Sequence, residues 1–568
     1  MTYSIHRTAA TAAFLALGAA AAQAADPAEP ANSDAATAGC AALVGQAISP
    51  DIIGLPTSGG TVTSAEIVSA NGEGAALVPA HCLVTGSISG HDPDAPDIRF
   101  HLGLPSDWNQ KVLMMGGGGF NGSIPNIAGN VPAGPADQPL PLARGYAVFG
   151  SDSGHQANEL GSQDGSFALN QEAARNFGGD ALKKTFDAAT YLTKLFYGTQ
   201  TIQQAYFAGG STGGREAIAA ITRWPDDWDG AISWYPAWND VAALLFGQRV
   251  NRALAQQGAY LETPERKLIF DAAIAACDEL DGLADGLVSN QTLCNATFDP
   301  RTAQFDGRGV MCTASAPTNA PCLSDAQVTA LETMNSAANF NFPLASGETQ
   351  YPGYNVWGSD LGITSREAGV QPIITFLSLG TTQPQLPMAR TTPYISLLLD
   401  QWIKYSVTRD PEFDSLSLDP ENPGAWGPRI SELSTLLDTR VDLDGFAEHG
   451  GKLLLAHGLS DVLVSTRATQ QYYTRLQYNM MPHIVDEFVR YYEVPGYGHA
   501  VSSDFNAAWD SLTALENWVE NGQAPENQIV TDTVGVAGRT RPLCDYPAWP
   551  RYLGTGDPDQ AASFECAH

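Results

Sequence analysis

The stretch Tyr206-Phe-Ala-Gly-Gly-Ser-Thr-Gly-Gly-Arg-Glu216 decides how the chain is read. Gly209, Ser211 and Gly213 stand two residues apart, between a short apolar run and an Ala/Ile-rich segment of helical spacing. A serine on a sharp strand-to-helix turn takes strained dihedrals, and glycines two residues to either side let strand and helix pass without Cβ clashes. Such a turn pushes the Ser211 hydroxyl out of the sheet. The first turn of the following helix leaves N–H groups unpaired where a negative oxygen would form. Glycine-rich turns containing a serine are common, so the weight of this reading rests on its partners elsewhere in the chain.

Upstream, Val84–Ser89 and Ile98–Leu104 alternate polar and apolar residues and predict strands. Lys111-Val-Leu-Met-Met115 then runs into Gly116-Gly-Gly-Gly-Phe-Asn-Gly122. An apolar strand ending in four glycines exposes backbone N–H groups to close approach. Beside a nucleophilic serine, that makes Gly118 or Gly119 the source of a second oxyanion donor. A phosphate loop is the weaker reading, since no Gly-Lys-Ser/Thr follows. Gly145–His155 predicts another buried strand, and 176–195 a helix before the elbow. This alternation is that of a parallel α/β sheet.

Downstream, Gly451-Lys-Leu-Leu-Leu-Ala-His-Gly-Leu-Ser-Asp461 and Arg490-Tyr-Tyr-Glu-Val-Pro-Gly-Tyr-Gly-His499 are both apolar strands ending in glycine and polar groups. Ser211, Asp461 and His499 thus stand in the chain order of an α/β-hydrolase, each just past a predicted strand. A serine hydroxyl needs a base to take its proton, for which His499 is suited. An acid such as Asp461 fixes that imidazole's tautomer and stabilises the imidazolium. His155 precedes the elbow and reads as structural; His457 precedes Asp461 and reads as loop packing. Asp438, Asp442 and Asp444 rival Asp461, but no apolar strand presents them.

The fold expected is an α/β-hydrolase core, 40–239 and 448–568, interrupted by a lid domain over 240–447. The lid would exclude water and shape the pocket. Residues 1–24, with an apolar run ending at Ala22-Gln23-Ala24, read as a signal peptide and 25–39 as a linker, so the mature chain is expected to be secreted or periplasmic. A net charge of −32 argues against nucleic acid and against acidic membrane surfaces as partners. Eight cysteines in an exported chain suggest local disulfides, Cys40 with Cys82, Cys277 with Cys294, Cys312 with Cys322 and Cys544 with Cys566. The spacing of a zinc site is missing. Within the lid, Cys277-Asp-Glu-Leu-Asp-Gly-Leu-Ala-Asp-Gly-Leu287 can aim Asp278, Asp281, Asp285 and the carbonyls of Leu283 and Leu287 at one calcium ion; the other reading is a solvated acidic turn.

These motifs, together with Asp152-Ser-Gly-His155, Pro225-Asp-Asp-Trp-Asp-Gly230 and Arg539-Thr-Arg-Pro-Leu-Cys-Asp-Tyr-Pro547, resemble the tannase and feruloyl esterase family of α/β-hydrolases over nearly the whole mature chain. The resemblance implies a serine carboxylesterase acting on esters of aromatic acids. It also implies a structural calcium on the five residues named above and an oxyanion hole that uses the Thr212 N–H. The family usually joins a cysteine before the nucleophile to one after the histidine; here those positions are Gly210 and Ala500. Packing of small residues is expected to hold Ser211 near His499 instead. Tyr351, Tyr354, Trp357, Phe376, Tyr394 and Trp402 offer a ring-binding wall or lid core. A terephthalate monoester would want an arginine such as Arg366 or Arg390 for its free carboxylate, whereas the negative charge favours neutral esters. A peptidase, and a silent calcium-stabilised binding protein on the same scaffold, are the alternatives of other classes.

Overall fold

The computed structural model describes residues 33–313 and 320–568, so the segment read as a signal peptide lies outside the described residues. The largest sheet among them has ten strands: β1 (Ala47–Ile48), β2 (Gly59–Val68), β3 (His81–Ser89), β4 (Ile98–Pro105), β5 (Lys111–Met115), β6 (Ala147–Ser151), β7 (Gln204–Gly210), β8 (Gly230–Trp234), β9 (Lys452–Gly458) and β10 (Val489–Val494). Their spatial order is β1-β2-β3-β4-β6-β5-β7-β8-β9-β10. From β6 to β10 all neighbours are parallel, and β1 to β4 form an antiparallel extension that joins at β6.

The central strands are apolar throughout because both faces are covered. In β7, Ala205 and Phe207 enter one core while Tyr206 and Ala208 enter the other; in β9, Leu453 and Leu455 divide in the same way from Leu454 and Ala456. Burying each such leucine contributes about 1.5–3 kcal/mol. The helix α1 (Ser33–Ala41) occupies the end of the stretch expected to be linker. On the first core's side lie α2 (Ala181–Tyr197) and α3 (Thr212–Arg223). The helix expected over 176–195 begins with one wide turn, 176–180, because Gly179 at φ 141° breaks the α geometry.

The chain between β8 and β9, two hydrogen-bonded neighbours of the sheet, runs through a long insertion that starts with α4 (Asp240–Leu254). The insertion builds its own apolar core, which includes Tyr351, Tyr354, Trp357 and Trp402. Then α5 (Thr466–Met480) packs on the first face of the sheet and α6 (Ser511–Asn521) on the second. Among the described residues the four disulfides pair as expected, Cys40–Cys82, Cys277–Cys294, Cys312–Cys322 and Cys544–Cys566. Closing loops of these lengths contributes about 3–4 kcal/mol each in the chain-entropy model.

Asp438 belongs to this framework and not to the serine's surroundings. Its carboxylate accepts the Val241 N–H (2.9 Å) at the start of α4, beside the equally buried Asp240. Burial, with Asp240's charge adding to it, pushes Asp438 up to about 8, and burial pushes Asp240 up to about 6. The folded chain therefore holds protons that the unfolded chain loses near pH 4. Their stabilisation is complete below that pH and is lost as pH rises toward 8. Asp438→Asn should raise Tm relative to wild type by more at pH 8.5 than at pH 5, through a difference on the order of 4 kcal/mol. Calorimetry of the two proteins across that range checks it, and a pH-independent difference would refute it.

Candidate active site

Ser211 sits at φ 60°, ψ −124°, between the end of β7 and the first residue of α3. The glycines around it are required by contact. A Cβ on Gly209 would lie 2.3 Å from the Gly213 carbonyl oxygen, one on Gly213 2.7 Å from that of Gly117, and one on Gly116 2.6 Å from the Gly213 Cα. The elbow and the glycine loop therefore touch backbone to backbone. The Gly213 N–H donates to the Gly117 carbonyl (3.0 Å), and the Thr212 hydroxyl donates to the Gly119 carbonyl (2.7 Å). Gly118 and Gly119 line the same cleft as Ser211, and Thr212 is bonded directly to that loop.

Glu216, one turn into α3, anchors this contact, a role sequence reading missed. Its buried carboxylate accepts the Gly117 N–H (2.9 Å) and the Asn121 side-chain amide. Burial pushes its carboxyl up, while the Arg215 charge and these two donors pull the other way. The one sequence signal was its spacing, one helical turn past the nucleophile on the face that meets the loop.

At the other wall, His499 Nδ1 donates to Asp461 Oδ2 (2.7 Å). Asp461 is fully buried, and its second oxygen accepts the Leu463 and Val464 N–H groups at 2.8 and 2.9 Å. His457 is more than loop packing. Its Nε2 donates to the same Asp461 Oδ2 (3.1 Å) and lies 3.2 Å from the Val464 carbonyl, while its Nδ1 accepts from the Thr469 hydroxyl (2.9 Å). Two imidazoles thus share one carboxylate oxygen. Burial alone would push Asp461 up, but the charge and hydrogen bond of His499 and the hydrogen bond of His457 outweigh it and hold the group well below the usual carboxylate range.

Ser211, Gly118, Gly119 and His499 line one open cleft of about 710 Å³, a size suited to a small organic ligand. Asp442 and Asp444 are exposed. His155 is buried and stacked on Phe167 with ring centroids 3.8 Å apart, in the structural role expected; burial pushes it down to about 4, with Asp164 pulling upward. Of the insertion's aromatics, Phe376 and Tyr394 reach the cleft, and the other four lie in the insertion's core. Arg366 and Arg390 do not line it. Arg366 pairs with Asp360 (3.2 Å) and Asp504 (2.8 Å), and Arg390 donates to the Glu159 carbonyl.

The expectation about Gly210 and Ala500 needs correction, because a large ring, and not small residues, fills the space beside Gly210. A Cβ on Gly210 would stand 2.6 Å from both Cε2 and Oη of Tyr235. Tyr235, immediately after β8, was legible only as part of an aromatic-rich turn.

The acidic loop closes largely on itself. Asp278 accepts from the Asp285 and Gly286 N–H groups, Asp281 from Leu283 and Asp285 from Leu287, while Arg541 pairs with Asp285. Among the described residues no three His, Cys, Asp or Glu side chains converge as a metal-ligand group. The donors present are all hard oxygens, the kind calcium takes, and of the three carboxylates Asp285 pairs with Arg541, while Arg539 donates to the Asp285 carbonyl.

A strained serine at the strand-to-helix elbow of a largely parallel sheet, with a glycine loop, a carboxylate and an imidazole brought to the same edge, defines an α/β-hydrolase. The chain is a carboxylic ester hydrolase and belongs to the family described as tannase and feruloyl esterase, whose model matches residues 82–567. It is similar to an uncharacterised esterase of Agrobacterium fabrum, 36% identical over 544 residues and 93% of each chain. It is also similar to the mono(2-hydroxyethyl) terephthalate hydrolase of Piscinibacter sakaiensis, 31% identical over 87% of this chain and 86% of that one. The fold matches the crystal structure of feruloyl esterase B from Aspergillus oryzae with a TM-score of 0.73, at 23% identity, over 94% of this chain and all of the other.

Glu216→Ala should lower kcat for a p-nitrophenyl ester about tenfold to a hundredfold, because Gly117 and the loop after it lose their anchor. Glu216→Gln should keep most of the activity, since a glutamine oxygen can accept from Gly117 and, once the Asn121 side-chain amide turns over, its NH2 can donate to Asn121 Oδ1. Steady-state kinetics of the two variants checks this, and equal losses would refute it.

Proposed function

We propose that the protein is an exported serine carboxylesterase that hydrolyses neutral esters of aromatic acids, with Ser211 as nucleophile, His499 as base and Asp461 as its partner. His499 Nε2 takes the hydroxyl proton as the Ser211 oxygen attacks the ester carbonyl. The N–H groups of Thr212 and of Gly118 or Gly119 stabilise the resulting oxyanion. Collapse expels the alcohol, which receives the proton from His499, and leaves an acyl-enzyme. Water, deprotonated by the same imidazole, then releases the acid. Asp461, held anionic by two imidazoles and two amides, keeps the His499 proton on Nδ1 and favours the imidazolium in between.

The observation that carries the substrate reading is the lining of the cleft. Among the described residues it holds no Lys, Arg, Asp or Glu, and the insertion lends it the rings of Phe376 and Tyr394. An aromatic acyl group gains from such rings, whereas a free carboxylate finds no cation among these residues. That distinguishes this chain's expected preference from the terephthalate monoester named for one of its relatives. The feruloyl esterase names of other relatives, such as that of Neosartorya fischeri at 27% identity over 82% of each chain, agree with a phenolic acid ester. Export is supported by four disulfides, and among the described residues no helix is long and apolar enough to cross a membrane.

We further propose that Asp278, Asp281, Asp285 and the carbonyls of Leu283 and Leu287 hold a calcium ion. The ion's contribution would be structural, neutralising the carboxylates of a loop in which Arg541 pairs with Asp285 alone.

Two experiments test these readings. Across p-nitrophenyl butyrate, methyl ferulate, methyl gallate and a terephthalate monoester, kcat/KM should be lowest for the monoester, and Ser211→Ala should reduce turnover at least about a thousandfold. An equally active Ser211→Ala, or a preference for the monoester, overturns the corresponding part. For calcium, EGTA should lower Tm and added Ca²⁺ restore it better than Mg²⁺, with Asp281→Asn abolishing the response. A Tm indifferent to the chelator would overturn the calcium reading.

A further inference from the structure

Tyr235 carries a second strained backbone in the site, at φ 36°, a left-handed value that a bulky residue adopts only when its surroundings enforce it. Its N–H is fixed to the Ala456 carbonyl of β9 (2.8 Å), so the turn after β8 is held rigidly against the neighbouring strand. From there the ring reaches both the elbow and the imidazole. One edge occupies the space beside Gly210 where any Cβ would clash, immediately before Ser211. The ring also lies against His499, with centroids 4.7 Å apart and planes at 56°. Tyr497 stands behind it at 6.4 Å and ties down the loop after His499 by donating its hydroxyl proton to the Ala500 carbonyl (2.7 Å).

Among the described residues, the His499 ring makes one hydrogen bond to protein, through Nδ1 to Asp461. A ring held at one nitrogen can still tilt about that bond. Its Nε2 then sweeps through positions out of line with the serine, and a 1 Å misplacement at a reacting group can cost about a hundredfold in rate. Packing against one face of the imidazole removes that freedom. We propose that Tyr235 is the positioning residue that holds His499 in line with Ser211, and that residue 210 is glycine because this ring must pass there. The inference rests on the serine esterase reading and adds to it the element that keeps nucleophile and base in register. The role belongs to the ring; the hydroxyl is dispensable for it.

The test is a set of four variants assayed on p-nitrophenyl butyrate, with circular dichroism and Tm to establish folding. Tyr235→Phe should stay within about threefold of wild type. Tyr235→Leu should lower kcat about tenfold to a hundredfold with KM little changed, since substrate contacts remain while the base loses its alignment. Gly210→Ala should cause a similar loss by displacing the ring, yet cost little more when added to Tyr235→Leu, because the clash is then gone. Losses that multiply in the double variant, a Tyr235→Phe as impaired as Tyr235→Leu, or an unchanged kcat in Gly210→Ala would each overturn the proposal. Gly210→Ala, which keeps Tyr235, carries the test if Tyr235→Leu does not fold. Absence of Ser211-dependent turnover in wild type would instead sink the esterase reading itself, so the two failures are distinct.

Discussion

The site depends on one contact that tolerates no side chain, the backbone-to-backbone approach of the elbow to the glycine loop. Gly209, Gly213 and Gly116 each meet another backbone at a distance where a methyl group cannot stand. This closeness brings the amides after β5 beside the serine after β7, two strands paired in parallel. The approach is held by the Gly213–Gly117 and Thr212–Gly119 hydrogen bonds and by the buried Glu216 carboxylate. The strain at Ser211, on the order of 1–3 kcal/mol, persists because the surrounding hydrogen bonds leave the turn no alternative. The Ser211 N–H, for example, is fixed to the Trp234 carbonyl (3.0 Å).

The opposite wall is organised around a single carboxylate oxygen. Asp461 Oδ2 takes a proton donor from each of His499 and His457, and Oδ1 takes two amides of its own loop. Full burial would ordinarily make a carboxylate easier to protonate, yet the charge and hydrogen bond of His499 and the hydrogen bond of His457 reverse that. The Asp461 carboxylate and the Val464 carbonyl, both acceptors, fix the His457 proton on Nε2, and the Thr469 hydroxyl can then donate to Nδ1. The charge that would accompany an imidazolium at His499 is therefore met by a partner already anionic and oriented.

The insertion between β8 and β9 supplies a wall of a different character. Two of its arginines are engaged elsewhere: Arg366 sits between two aspartates and over the Phe270 ring, and Arg390 reaches a backbone carbonyl. What it lends to the cleft is aromatic surface, with the Tyr394 hydroxyl bonded to Ser162 (2.9 Å) across from the glycine loop. In a chain of net charge −32, the described lining of this cleft carries no acidic or basic side chain other than His499.

Local chemistry was legible from residue order. The elbow, the glycine loop, the two later strands ending in Asp461 and His499, and the four local cysteine pairs each have a signature within a dozen residues or in simple spacing. Local backbone geometry demands particular residue types, glycine above all, and apolar strands announce themselves by composition. Contacts between distant segments were not legible. Glu216 reads as an ordinary helix residue until Gly117 and Asn121 are brought to it, and His457 reads as loop packing until the fold sets it on Asp461 with Thr469 of α5 behind it. Tyr235 reads as one aromatic among several until its ring is found in the space beside Gly210. The sequence by itself determined which groups stand at the strand ends, because strand, turn and helix propensities act over neighbours. Only the tertiary structure decided what holds those groups in line, because side-chain packing and shared hydrogen bonds depend on distances across the sheet that no local pattern encodes.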